Sequence, residues 1–89
     1  MKAVITVVGK DMVGILASVS GECSKRNVNV IEVSQTLLQD MFCMIMLVDV
    51  SGCEIPFSQF AKEISQIGEE NNLVIHAMHE DIFNAMHKI

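Results

Sequence analysis

Hydrophobic and polar positions change their period along this chain, and each change marks an element. The run Ala3-Val4-Ile5-Thr6-Val7-Val8 is β-branched and almost wholly apolar, which predicts a buried strand over residues 2–8. Ile15, Leu16, Val19 and Cys23 then recur at helical spacing. They predict a helix over 13–26, closed by Lys25 and Arg26, whose charges suit a helix C-terminus. Over 28–38, Ile31, Val33 and Leu37 alternate with Glu32, Ser34 and Thr36, as in a strand with one buried and one wetter face. Gln39-Asp40 makes a short hairpin turn into a third strand, 41–50, which is apolar on both faces and so needs cover on both. Pro56 opens a second helix, in which Phe57, Phe60, Ala61, Ile64, Ile67 and Gly68 form a stripe opposite Lys62, Glu63, Ser65 and Gln66. Glu69-Glu70-Asn71-Asn72 ends that helix, and residues 73–78 make a fourth strand. In the tail, Ile82, Met86 and Ile89 repeat at three and four. The spacing predicts a short amphipathic helix over 81–89, capped by Asp81, with those three residues on one buried face.

The order β-α-β-β-α-β with right-handed crossovers predicts an α+β, ferredoxin-like sandwich. Its four-stranded antiparallel sheet carries two helices on one face, plus the short C-terminal helix. The whole chain, 1–89, reads as a single domain.

Composition sharpens this picture in two respects. With 51% apolar residues in a chain of 89, there is more apolar material than a small monomer easily hides, which points to a homodimer. A net charge of −5 argues against nucleic acid and against an anionic membrane surface as partners. No run reaches the roughly 18 apolar residues that cross a bilayer, so a soluble, cytoplasmic protein is expected. Cys23 and Cys43 fall in apolar runs and read as small buried hydrophobes, whereas Cys53 follows a Ser51-Gly52 turn and is expected nearer the surface. No disulfide framework is implied.

Candidate chemistry concentrates in the turn Gly9-Lys10-Asp11-Met12-Val13-Gly14-Ile15-Leu16, between a strand and a helix. It offers two glycines, a capping Asp11 and the free amides of a helix N-terminus, which attract anions. An ordinary strand-to-helix turn uses the same residues, so both readings stay open. A P-loop is excluded because Ile15-Leu16 stand where Lys and Ser or Thr should follow, and the dinucleotide fingerprint lacks a glycine. Other users of this fold leave different marks. Metal chaperones need C-x-x-C at the first turn, and acylphosphatase-like enzymes need an arginine there, whereas Arg26 lies at the far end of the helix. RNA-recognition domains need strand aromatics, of which Phe42 is the sole example. His76 and His79, three apart on a strand, point to opposite faces and do not share a metal. No nucleophile elbow or carboxylate pair is present, so a non-enzyme without cofactor or metal is expected.

The segment from Val7 to Ala17, followed by Asn27-Val28-Asn29-Val30, resembles the ACT domain signature of strand, Asp-x-x-Gly turn, helix and Asn-hydrophobic strand start. The likeness is to small stand-alone ACT proteins and to the ACT segments of formyltetrahydrofolate hydrolases and glycine-cleavage regulators. It covers essentially the whole chain. One departure is Val13, where many ACT domains carry proline before the glycine. The resemblance implies a regulatory module that pairs with a second copy and binds an amino acid or similar metabolite between copies. The matching positions are Asp11, Met12, Val13, Gly14 and Ile15 in the turn, with Asn29 and Ile31 on the second strand. Some ACT domains bind nothing, so the alternative is a protein–protein assembly module without ligand.

Overall fold

The computed structural model describes residues 1–10 and 14–86, with backbone alone at Met86. Its elements are β1 (Lys2–Gly9), α1 (Ile15–Lys25), β2 (Asn29–Leu38), β3 (Met41–Asp49), α2 (Phe57–Glu70), β4 (Val74–His79) and α3 (Glu80–Met86). The strands form one antiparallel sheet in the order β2-β3-β1-β4. This is the ferredoxin-like arrangement that the periodicities predict.

Register divides the sheet into two unlike faces. Ala3, Ile5 and Val7 pair with Val48, Met46 and Met44, and all six are buried. Ile15, Val19 and Cys23 of α1 and Phe60 and Ile64 of α2 cover them, completing one core. The opposite face presents Cys43, Ile45 and Leu47 from β3 and Val4, Thr6 and Val8 from β1. Val4 is only 5% exposed yet stands apart from the core cluster. The element that covers it is α3, which packs against β1 and β4.

Two local expectations are corrected. The alternation read into β2 is broken by a bulge between Val30 and Glu32, which takes Ile31 out of register. Because β2 is an edge strand, Ile31 is 45% and Leu37 53% exposed, and only Val30 and Val33 pack against the core. In the tail, Asp81 lies inside the first turn of α3, and its N–H donates to Nδ1 of His79 at 3.1 Å. His79 is therefore the capping group. Ile82 is 55% exposed, whereas Phe83 beside it is half-buried. Ile89 lies outside the described residues, as does the side chain of Met86.

Candidate functional site

The strand-to-helix turn begins where β1 leaves the sheet at Gly9. Gly14 takes the N-cap position of α1 with φ 75° and ψ 4°, a left-handed conformation that glycine adopts without a Cβ penalty. Ser18 N–H donates to the Gly14 carbonyl at 2.9 Å, and the amides of Ile15, Leu16 and Ala17 lie ahead of that bond. A Cβ built on Gly14 meets nothing within 4 Å among the described residues. Ile15 is 5% exposed and sends its side chain into the core, leaving only its backbone to the turn. Asp11, Met12 and Val13 lie outside the described residues.

Asn29 and Ile31 are not brought to this turn within one protomer. Gly9 pairs with Phe42, and Phe42 with Leu37. Lys2 pairs with Asp49, and Asp49 with Asn29. Gly14 and Asn29 therefore belong to opposite ends of the sheet, separated by about 23 Å of strand at ~3.3 Å per residue. Asn29 lines a shallow polar cleft of about 410 Å³ with Ser20, Ser24 and Asn27.

Sequence reasoning missed a clasp that joins the two core helices. Arg26 Nε donates to Glu63 Oε1 at 2.8 Å, and Nη1 donates to Glu22 Oε1 at 2.9 Å and to the Glu22 carbonyl at 3.0 Å. Gln59 Nε2 donates to the other Glu63 oxygen at 3.0 Å, and Lys25 approaches Glu22 at 3.3 Å. The i,i+4 spacings of Glu22–Arg26 and Gln59–Glu63 were readable as helix pairs. Their union through one arginine needs the tertiary fold. A cleft of about 480 Å³ beside the clasp is lined by Glu22, Lys25, Arg26, Glu54 and Glu63. Three carboxylates against two cations leave it no anion site.

The clasp makes stability depend on pH. The Arg26 hydrogen bond, then that of Lys25, holds the Glu22 carboxyl below its usual range. Gln59 and then Arg26 do the same for Glu63. Groups with depressed folded values stabilise above their ordinary range and lose that contribution as acid protonates them. Arg26→Gln should therefore melt below the wild type at pH 7, with the two curves converging near pH ~3. A gap that persists at pH ~3 in a melting series would show that Arg26 acts through packing.

Nucleophilic chemistry finds little here. Burial raises the Cys23 thiol to about 11, so it stays protonated and inert. Among the described residues, no group of three or more His, Cys, Asp or Glu is placed to hold a metal ion. His76 pairs with Thr6 and His79 with Ala3, placing them on opposite faces.

Comparison with known proteins agrees with this geometry. The ACT domain family model matches residues 2–78. The chain is 45% identical over 89 residues to the UPF0237 protein lin0537 of Listeria innocua, covering all of both chains. An ACT domain protein from Streptococcus pneumoniae superposes with a TM-score of 0.83 at 39% identity, covering 98% of each chain. A putative glycine cleavage system transcriptional repressor shares the fold, with a TM-score of 0.70 at 22% identity over 85% of this chain and 43% of its own. A left-handed glycine opening the first helix, a β2-β3-β1-β4 sheet and a family match across nearly its whole length together place this chain in the ACT domain family.

Proposed function

We propose that this chain is a non-catalytic regulatory module that works as a homodimer and binds a small metabolite, an amino acid above all, at the turn behind Gly14. ACT domains are regulatory modules that bind small molecules. The observation that carries the reading is the start of α1: a left-handed Gly14 with no atom of the described residues within 4 Å of its missing Cβ. A ligand carboxylate can approach the helix amides there without a side chain of Gly14 in the way. A net charge of −5 opposes multiply charged anions, whereas a zwitterion brings no net charge.

The second copy supplies what one protomer separates. If two β2 edges pair antiparallel, each strand's start lies beside the other's end. Asn29 and Ile31 of the second copy then reach the Gly14 end, where the Asn29 amide can bond a ligand amino or carbonyl group. Asp11, Met12 and Val13 complete the proposed turn. What supports the absence of catalysis is the family together with the buried, protonated Cys23.

A thermal-shift screen of the amino acids tests the reading. A true ligand at 100 times its Kd should stabilise the protein by about 2.7 kcal/mol. Asn29→Ala should then weaken binding by roughly 1–3 kcal/mol. No shift with any amino acid, on a protein that sediments as a dimer, would leave the ligand-free assembly module in its place.

A further inference from the structure

The sheet has two edge strands, and they are built differently. β2 is bent by the bulge between Val30 and Glu32 and carries a charge at Glu32, two devices that discourage a further strand. β4 pairs with β1 in unbroken register, and its six residues, Val74–His79, include no proline, glycine, lysine or carboxylate. Both of its faces are already covered, because Ile75 is pressed on α2 at Gly68 and α3 packs on the other side. What β4 leaves open is its edge, a row of backbone N–H and C=O groups that no described strand pairs. Acids stand at both ends of that row. Leu73 N–H donates to the Gly68 carbonyl at 2.8 Å, a tight turn that holds Glu69 and Glu70 at the start of β4. Glu80 and Asp81 open α3 at its end. Lys2 and Lys10 lie one strand inward, at the two ends of β1, and among the described residues neither forms an ion pair with these acids.

We propose that the β4 edge takes up an extended peptide segment of another protein, one with basic residues on either side of a short uncharged run, and adds it to the sheet as a further strand. Six residues at ~3.3 Å each set the two acid pairs about 20 Å apart, so a cation at each end of the segment meets one pair. Main-chain hydrogen bonds then give affinity, and the charges fix register and choose the partner. The strand is held between α2 and α3 before the segment arrives, so little ordering is left to offset binding. A second copy of this chain is the wrong occupant. Two β4 edges related by a two-fold run antiparallel, which sets residues 69–70 of each beside residues 80–81 of the other, acid against acid, in chains that each carry −5. This contact depends neither on a ligand at Gly14 nor on pairing of the β2 edges.

The probe is a fluorescein-labelled synthetic peptide of alternating valine and threonine, matched to β4 in length, with a pair of lysines at each end. It is titrated into the whole protein and followed by anisotropy, and amide hydrogen exchange locates it. With peptide in excess, residues 74–79 should exchange about tenfold more slowly, while residues 29–38 keep their rate. Methylating alternate backbone nitrogens of the peptide should abolish binding, because main-chain bonds carry it. Reversing charge with Glu69→Lys and Glu70→Lys, both exposed, should weaken binding by about tenfold, as should raising the salt from about 0.05 M to ~0.5 M. Glu69→Gln with Glu70→Gln serves if the reversed variant does not fold. Binding that survives methylation, or that protects residues 29–38 instead, overturns the proposal, and so does no binding up to about 1 mM peptide. Protection of residues 74–79 that rises with protein concentration alone gives the edge to a second copy and overturns it as well.

Discussion

Gly68→Ala should lower the melting temperature sharply although alanine is the better helix former. Gly68 is the point where α2 presses on β4. A Cβ there meets Ile75 Cγ1 at 2.7 Å, the Leu73 carbonyl oxygen at 3.0 Å and Ile75 Cβ at 3.1 Å. A side-chain tip can swing aside, but a backbone oxygen cannot. Overpacking of this kind costs about 1–3 kcal/mol, and the helix-propensity gain offsets up to ~1 kcal/mol of it. In a domain this small each kcal/mol moves the midpoint by about 4–8 °C. Calorimetry of Gly68→Ala, Ile75→Ala and the double variant checks the cause. The double should be less damaging than the sum, because Ile75→Ala removes one of the three clashes. Strict additivity would mean that the helix does not sit this close.

Gly14→Val should destabilise the fold by about 2–3 kcal/mol, through backbone strain. The φ of 75° is left-handed, which costs a non-glycine residue roughly 1–2 kcal/mol and a β-branched one more. Among the described residues no neighbour is near enough to clash. Gly14→Asn should lose under ~1 kcal/mol, since asparagine tolerates this conformation and can occupy an N-cap. That pair separates geometry from binding. Denaturant melts rank the variants by strain, whereas calorimetric titration of the folded Gly14→Asn protein asks whether a side chain over the helix end blocks the ligand. Equal stability of Val and Asn at this position would remove the strain argument.

The gross architecture was legible because long periodic runs leave little choice. The stripe Phe60–Ile64–Gly68 has one way to be buried, the apolar 41–48 run reads as a strand although its Ile45 stays 44% exposed, and the hairpin at Gln39-Asp40 is where the pattern breaks. What escaped reading depends on position in the sheet. Ile31 looks like a core residue in alternation, but a bulge on an edge strand turns it out, and neither the bulge nor edge placement has a local signature. Asp81 is a good cap by type, yet His79, two residues earlier, reaches its amide first. The glycine of the turn was visible as a candidate, whereas its left-handed backbone was not. The separation of Gly14 from Asn29 follows only from the registers across three strands, which no single element encodes.

The strand order β2-β3-β1-β4 also dictates when the protein can finish folding. The β2–β3 hairpin closes on itself through a two-residue turn, so it can form as soon as it is synthesised. β1, made before it, gains its first neighbour only when β3 exists and its second only when β4 emerges, as Val4 facing both Leu47 and Met78 shows. Closing those long loops is slow, because the entropy of closure is spent before the contacts reward it. Until then the chain's most β-branched segment waits with both hydrogen-bonding edges open, which is the condition for mispairing with a neighbouring nascent chain. Completion of this domain therefore waits for β4, and the interval before β4 arrives is its most vulnerable moment.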